Sequence, residues 1–275
     1  MHKSTNGFDF WNKEKDAVID MYLGQKMSSN QIAKHYECDP STIISHLKRW
    51  NIERRKERAN SQYNLDINFF SEIDSEAKSY FMGLLLADGH ISKNNVIMLT
   101  LKDVDVIEKY KVAICSDAPI KIDRNGNHQF NIVSKQMSDD LRNIGFHNRK
   151  SYYIDINKVL SYVPKNLEHH FVRGLFDGDG SIKHYKYDYI KNPQLHFGYT
   201  GLPNVVDYVK TFLNIKTKTV IESDITHTCV TSCRQTIEHI FDILYKDATI
   251  YMERKYNTFT EIIQKPSTTI MGGTL

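Results

Sequence analysis

The sequence feature that most limits the possible folds of this chain is an internal repeat. Residues 77–91 read AKSYFMGLLLADGHI and residues 168–182 read EHHFVRGLFDGDGSI, so that two glycines, a leucine, an aspartate and an isoleucine coincide when the copies are superposed. Each copy is an apolar run of helical character that ends in Asp-Gly and passes into strand-like residues. The chain is therefore expected to contain two similar halves.

A glycine inside each predicted helix is unexpected, because glycine lowers helix stability by about 1 kcal/mol relative to alanine. Gly83 is followed four residues later by Ala87, and Gly174 by Gly178, so each helix carries two small residues on one face. Such a strip lets two backbones approach closely. The sequence therefore predicts that the two repeated helices pack against each other through these four residues.

The repeated aspartates are the candidate functional groups. If the helices pair about a pseudo-dyad, Asp88 and Asp179 emerge side by side at helix carboxyl ends, where the helix dipole already disfavours negative charge. Their repulsion would be about 3 kcal/mol at roughly 5 Å with an effective dielectric constant of about 20. A hard divalent cation, Mg2+ or another such as Mn2+, would relieve it. A metal ion held between acids is a common device of phosphodiester chemistry.

These residues resemble the LAGLIDADG homing endonucleases, over roughly Asn64 to Gln264. The two copies would be the signature helices of that family, with Asp88 and Asp179 at its metal-binding and catalytic acidic position. In the first copy Leu86 stands where the signature has its first aspartate, whereas the second copy keeps Asp177. The resemblance implies a divalent metal and cleavage of both strands of a long DNA site.

A second matched pair of basic residues occurs in the two halves: Arg149-Lys150 and Arg254-Lys255. The family resemblance suggests that Lys150 and Lys255 are catalytic and reach the active-site water or the scissile phosphate. A cation in that place would stabilise the negative charge that develops on the phosphate. The alternative is an ordinary surface Arg-Lys pair at a helix start.

Beyond each signature helix, strands and helices alternate in the same order. Strands are predicted near residues 90–93, 96–102, 120–123, 129–134, 181–187, 194–200, 218–223 and 227–231, and helices at 104–115, 135–144, 205–213 and 234–245. This is an α+β pattern of two αββαββα repeats, with helices on one face of each antiparallel sheet. The predicted boundaries are 61–166 and 167–264 for the repeats, with a disordered tail at 265–275.

The uncovered faces of the two sheets should be polar and aromatic. In the resembling family the sheets straddle duplex DNA, and strand side chains read the major groove. An ordinary solvated strand is the alternative for any single position, because a slip of one residue reverses the face. The candidates for DNA contacts are Lys183, Tyr185, Tyr187, Gln194 and His196.

Residues 1–60 are predicted to form a separate all-α unit. Ser28 can cap one short helix, and Asp39-Pro40 can cap and begin the next, which is a helix-turn-helix pattern. Its outward face and the basic stretch that follows would contact the major groove and phosphates. The residues predicted to bind DNA are Ser41, Thr42, Ser45, His46, Lys48, Arg49, Arg54 and Arg55. A three-helix packing or dimerisation module is the alternative.

Net charge, cysteine spacing and the lengths of the apolar runs indicate what kind of protein this is. The net charge of +3 is too small to indicate a nucleic-acid partner by itself. The four cysteines form no C-x-x-C pair, and no apolar run approaches the ~20 residues of a membrane span, so we expect a reduced, cytoplasmic protein with no membrane partner. Cys229 and Cys233 near His227 are expected to be buried thiols rather than a zinc site. The His169-His170 pair lacks the spacing of an HNH nuclease.

The sequence thus predicts a monomeric, two-repeat homing endonuclease that cuts double-stranded DNA. Two alternatives stay open: a DNA-binding transcription regulator with an idle nuclease centre, and an RNA maturase that clamps structured RNA with the same fold. Retention of both Asp88 and Asp179 favours the nuclease, because a protein that only binds has no need to hold two repelling carboxylates together.

Overall fold

The computed structural model describes residues 8–25, 27–53, 63–147, 152–185 and 194–264. The chain divides into two compact units, residues 1–62 and residues 63–275. Four predicted site residues and the predicted tail at 265–275 lie outside the described residues; the four are Arg54, Arg55, Lys150 and Tyr187. Among the described residues, no helix combines the length and apolar character that a membrane crossing requires.

The first unit is helical and has an apolar core of its own. Its elements are α1 (Phe8–Lys13), α2 (Lys15–Ile19), a π-helical turn (Asp20–Gly24), α3 (Ser29–His35) and α4 (Pro40–Arg49). The buried core side chains come from all of these elements, and they are Trp11, Val18, Tyr22, Ile32, Ala33, Ile43 and Leu47.

The starts of α3 and α4 follow directly from local sequence. Ser28 Oγ accepts a hydrogen bond from the Gln31 amide, and Gln31 Oε1 accepts one from the Ser28 amide at 2.8 Å, which completes a capping box. Asp39 accepts a hydrogen bond from the Ser41 amide at 2.8 Å, and Pro40 takes the first position of α4. Both helices therefore begin where the sequence predicts.

The second unit contains both repeats. Its first half consists of α5 (Glu76–Asp88), β1 (Gly89–Ile91), β2 (Val96–Leu101), α6 (Val104–Ala113), β3 (Ile120–Ile122), β4 (His128–Val133) and α7 (Lys135–Ile144). A short α8 (Ile156–Leu160) and a 3-10 turn (Lys165–Leu167) follow. The second half consists of α9 (Glu168–Asp179), β5 (Gly180–Tyr185), β6 (Gln194–Gly201), α10 (Pro203–Phe212), β7 (Val220–Ser223), β8 (Thr226–Thr231), α11 (Arg234–Tyr245) and α12 (Glu253–Gln264).

The two sheets have the same topology. Their strand orders are β1-β2-β4-β3 and β5-β6-β8-β7, and every pairing is antiparallel. Gly89 pairs with Leu99 in the first sheet, and Gly180 pairs with Tyr199 in the second, so both sheets begin in the same register. The predicted arrangement of two antiparallel sheets with helices is confirmed. The sequence did not predict α8 or the full extent of α12.

The helices α5 and α9 pack against each other, backbone to backbone. A methyl group on Gly83 or on Gly174 would overlap a carbonyl oxygen of the opposite helix. A methyl group on Gly178 would overlap the Cβ of Ala87, so the contact continues to the carboxyl ends of both helices. All four small residues singled out in the sequence lie in this contact.

Because of the contact at Gly83, we expect a glycine-to-alanine change in this helix to destabilise the protein, which is the opposite of the usual effect. Replacing an exposed helical glycine with alanine normally stabilises a protein by up to about 1 kcal/mol. Gly83→Ala should instead lower the free energy of unfolding by about 1–3 kcal/mol, because the methyl group overpacks the interface. Urea unfolding should be compared with that of Glu108→Ala, a change at an exposed position of α6. A Gly83→Ala variant as stable as the wild type would contradict the contact.

Candidate active site

Asp88 and Asp179 are the last residues of α5 and α9, and both are exposed. The helix contact carries them to neighbouring positions, because a methyl group on Gly178, the residue before Asp179, would lie 3.0 Å from Oδ2 of Asp88. Both acids also act electrostatically on the same two groups, Tyr199 and Lys255. The structure therefore brings the two repeated acids together at one end of the helix pair.

The glycine after each acid ends the helix for a steric reason. Gly89 and Gly180 have extended backbone conformations and begin the strands β1 and β5. A methyl group on Gly89 would lie 2.6 Å from the carbonyl oxygen of Leu85, and one on Gly180 would lie 2.5 Å from that of Phe176. The Asp-Gly pairs thus place each acid where a helix turns sharply into a sheet.

Lys255 contacts the end of α9. Its side chain is 4 % exposed, and its ammonium group donates hydrogen bonds to the carbonyl oxygens of Phe176, Asp177 and Gly180 at 2.6–2.7 Å. Carbonyls at a helix carboxyl end have no partner within the helix, and a cation there opposes the helix dipole. These bonds use all three N–H groups of the ammonium. Lys255 therefore binds the second signature helix, which differs from the predicted contact with a phosphate.

A buried carboxylate lies beside Lys255. Asp177 is fully buried and accepts hydrogen bonds from Tyr80 Oη at 2.7 Å and from the Met252 amide at 2.8 Å. Burial raises the pKa of Asp177, although the charge of Lys255 and the bond from Tyr80 act in the opposite direction. Burial lowers the pKa of Lys255 to about 8, and the charge of Asp177 offsets part of that effect.

A second buried polar network joins α5 to α9 through Arg173. This side chain is fully buried, and it donates hydrogen bonds to Glu76 at 2.6 Å, to the Leu244 carbonyl at 2.7 Å and to the Ile250 carbonyl at 2.8 Å. Glu76 also accepts hydrogen bonds from the amide and hydroxyl of Thr249, each at 2.7 Å. An arginine within an apolar helical run was the sequence signal for this network.

Tyr199 is a site residue that the sequence analysis did not single out. It lies on the buried face of β6, and its pKa is raised by burial and, to a smaller degree, by the negative charges of Asp179 and Asp88. Tyr199 and Asp179 line the same pocket, of about 260 Å3, together with Ala87 and Thr200. The phenol therefore keeps its proton at neutral pH and lies close to the acids.

Polar side chains occupy the uncovered face of the second sheet. Lys183 pairs with His196, and Tyr185 pairs with Gln194, across β5 and β6. These four lie on the opposite face from the buried Ile182, because side chains alternate along a strand. Burial lowers the pKa of His196, with a smaller contribution from Lys183.

The first sheet presents a matching polar face that the sequence analysis did not single out. Its register places His90 opposite Met98, Met98 opposite Asn131, and Lys121 opposite Gln129, so that these residues share one face. The alternation of polar residues with buried ones along β4 is the signal that identifies this face.

In the first unit, the predicted DNA-contacting residues that the structure describes all lie on α4. Exposed or partly exposed positions on α4 are occupied by Ser41, Thr42, Ser45, Lys48 and Arg49. His46 is also partly exposed, and its ring stacks on Trp11 with ring centroids 4.9 Å apart, where burial lowers its pKa. The DNA contacts of these residues stay a prediction.

One further group of possible metal ligands is present among the described residues. Donor atoms of His169, His170 and Asp247 lie within 4.8 Å of one another. His170 Nδ1 accepts a hydrogen bond from Arg173 at 2.8 Å, which occupies its lone pair and places a guanidinium beside it. This group therefore does not fit a cation. Cys229 is buried as expected, whereas Cys233 is exposed.

No protein-family model and no curated protein matches the sequence. Solved structures of similar fold include the LAGLIDADG homing endonuclease I-LtrWI bound to target DNA (13% identity, 72% of this chain and 89% of that chain, TM-score 0.48). Another is I-SmaMI bound to cleaved DNA (14% identity, 70% and 89%, TM-score 0.48). A third is the meganuclease I-AabMI bound to uncleaved DNA (13% identity, 67% and 88%, TM-score 0.48). At such low identities and TM-scores, only the residues of this chain can support a function.

The buried ammonium of Lys255 leads to a prediction about pH. The Lys255 side chain should titrate near pH 8 in the folded protein, whereas an ordinary lysine titrates at about 10.4. Between these values the unfolded chain binds more protons than the folded one, so the free energy of unfolding should rise with pH across this window. The pKa of Lys255 in the folded protein can be measured by following the lysine Cε resonances by NMR as the pH changes. The Lys255→Gln variant assigns the signal.

The same variant provides the control for stability. Denaturant unfolding at pH 8 and pH 10 should show a larger gain for the wild type than for Lys255→Gln, because only the wild type relieves a buried charge over this range. A Lys255 resonance that titrates only above about pH 10 would contradict the environment described for this residue.

Proposed function

We propose that this chain is a metal-dependent, site-specific endonuclease of the homing type that cuts both strands of double-stranded DNA. The observation that carries the proposal is the pair Asp88 and Asp179, exposed and adjacent at the ends of two close-packed helices. Two carboxylates at helix carboxyl ends oppose the helix dipole and each other. Residues that break a local rule in this way without a packing benefit are typical of functional sites.

The donor groups suit a hard divalent cation. Asp88 and Asp179 offer carboxylate oxygens, which are the ligands that Mg2+ and Mn2+ prefer. The two acids would hold the ion between the helix ends and so remove their mutual repulsion. When bound, such an ion would lower the pKa of water and stabilise the charge that develops on a phosphodiester.

Residues around Asp88 and Asp179 would adjust the charge near the two acids for metal binding. Lys255 occupies the carbonyl groups at the end of α9, and its charge offsets part of the negative charge there. Tyr199 lies near both acids and keeps its proton, so its phenol adds no further negative charge beside them. Lys255 therefore supports the acid through α9 and leaves phosphate contact to other groups.

The polar faces of the two sheets would bind the duplex. Lys183, Gln194 and His196 in one sheet, with Gln129 and Asn131 in the other, carry the donors and acceptors that recognise base edges in the major groove. Both acids and both sheets belong to one chain, so a monomer suffices for cleavage of both strands. The first unit would add contacts at one end of the site through α4, with Ser41, Ser45, Lys48 and Arg49.

The direct test of this function is replacement of the acids. Asp88→Asn or Asp179→Asn should abolish double-strand cleavage while DNA affinity stays the same or rises, because each change removes a metal ligand and a charge that faces phosphate. The substrate is a plasmid that carries the DNA flanking the gene's insertion point, with and without Mg2+, and affinity is measured by gel shift. Glu108→Gln, at an exposed acid of α6, is the control. Undiminished cutting by either asparagine variant would refute the assignment.

Removal of the first unit separates binding from chemistry. A chain that starts at Ser61 should keep metal-dependent cutting at high protein concentration, because both acids are retained. It should bind DNA more weakly, protect a shorter footprint and show a shallower dependence of affinity on salt, since it releases fewer counterions. An unchanged footprint and salt slope would assign the first unit to packing or dimerisation. Tight, specific binding by residues 1–60 alone, with an inert remainder, would favour a transcription regulator.

A further inference from the structure

A buried hydrogen-bond network lies beneath the carboxyl end of α9. Asp177 Oδ2 accepts hydrogen bonds from Tyr80 Oη at 2.7 Å and from the Met252 amide at 2.8 Å, and Tyr245 Oη lies 3.4 Å from Oδ1. Three helices and the segment that leads into a fourth therefore meet at one carboxylate. They are α5 through Tyr80, α9 through Asp177, α11 through Tyr245, and the segment before α12 through Met252.

This network determines where α12 begins and where Lys255 lies. The Met252 amide is held by Asp177, and the Met252 carbonyl accepts a hydrogen bond from the Tyr256 amide at 3.1 Å, so the first turn of α12 starts from that point. Lys255 lies within this turn, and it donates hydrogen bonds to the carbonyls of Asp177 and Gly180 on either side of Asp179. Asp177 thus binds the start of α12 through its side chain and Lys255 through its main chain.

The matching positions of the first repeat carry no such network. Superposition of the two sequence copies places Phe171 at the position of Tyr80, and Leu86 at the position of Asp177. Phe171 and Leu86 are both buried apolar side chains. Among the described residues, the buried polar support therefore lies on the side of the helix pair that carries Asp179.

We propose that Tyr80 and Asp177 are positioning residues, which hold Asp179 and the start of β5 in place by seating Lys255 against the end of α9. Their effect on catalysis rests on the nuclease function proposed above, whereas their effect on the position of Asp179 rests only on the contacts described here. Since this network contacts the helix end that carries Asp179, its loss should impair the cleavage of one DNA strand more than the cleavage of the other.

The chain offers a matched pair of variants for the test. Tyr80→Phe removes only the hydroxyl that donates to Asp177. Tyr110→Phe removes a hydroxyl that is also buried but has no hydrogen-bond partner among the described residues. Phenylalanine suits position 80, because Phe171 occupies the corresponding position of α9. Asp177→Asn, which keeps the shape of the side chain, provides a second disruption of the same network.

The first measurement is the cleavage rate of each DNA strand, followed with a different label on each strand. Tyr80→Phe and Asp177→Asn should slow one strand by about 10- to 100-fold, the range found when groups that orient metal ligands are removed, so that nicked DNA accumulates. Tyr110→Phe should cut both strands as the wild type does. An equal slowing of both strands would indicate a smaller folded fraction and would overturn the positioning role.

The second measurement is hydrogen exchange without DNA or metal, which remains decisive if the wild type cuts no DNA. Amides of residues 178–182 should exchange faster in Tyr80→Phe than in Tyr110→Phe, and those of residues 87–91 should be unchanged. If exchange changes in this way but the wild-type protein cuts no DNA, the nuclease function is refuted and the positioning role is still supported. Unchanged exchange at residues 178–182 in Tyr80→Phe and Asp177→Asn would overturn the positioning role, whatever the cleavage rates.

Discussion

The backbone contact between α5 and α9 determines most of the other features of the second unit. Only residues without a side chain fit at Gly83 and Gly174, where carbonyl oxygens of the opposite helix occupy the space of a Cβ. Each helix passes directly into the first strand of its sheet, so the same contact sets where both sheets begin. It also places Asp88 beside Gly178, and hence the two repeated acids beside each other.

The two acids are related by the repeat but have different surroundings. Asp179 lies on the side that carries Lys255, Asp177 and Tyr199, whereas the positions corresponding to the last two in the first repeat are occupied by Leu86 and Leu99. Burial of a carboxylate and an ammonium costs desolvation energy, which their hydrogen bonds must offset. Among the described residues, the buried polar contacts of this pair therefore lie on the side of Asp179.

Much of the fold could be predicted because its signals are local. Hydrophobic periodicity, the caps at Ser28 and Asp39, and the alternation along β5 and β6 depend on residues close together in sequence. The positions of His46 and Lys255 depend on residues far from them, Trp11 in one case and the carbonyls of residues 176–180 in the other. A lysine in a polar sequence context is typically exposed, so no local pattern indicates its burial.

By itself, the sequence determined the repeat, the helix that ends in Asp-Gly, the succession of strands and helices along each half and the small residues through which two helices meet. These features depend on side-chain periodicity and on backbone sterics, which act over a few residues. Only the tertiary structure decided which polar groups are buried and which hydrogen-bond partners they have, as for Arg173 with Glu76 and Asp177 with Tyr80. A buried polar group is stable only beside its hydrogen-bond partner, and these partners lie 97 positions away in the chain.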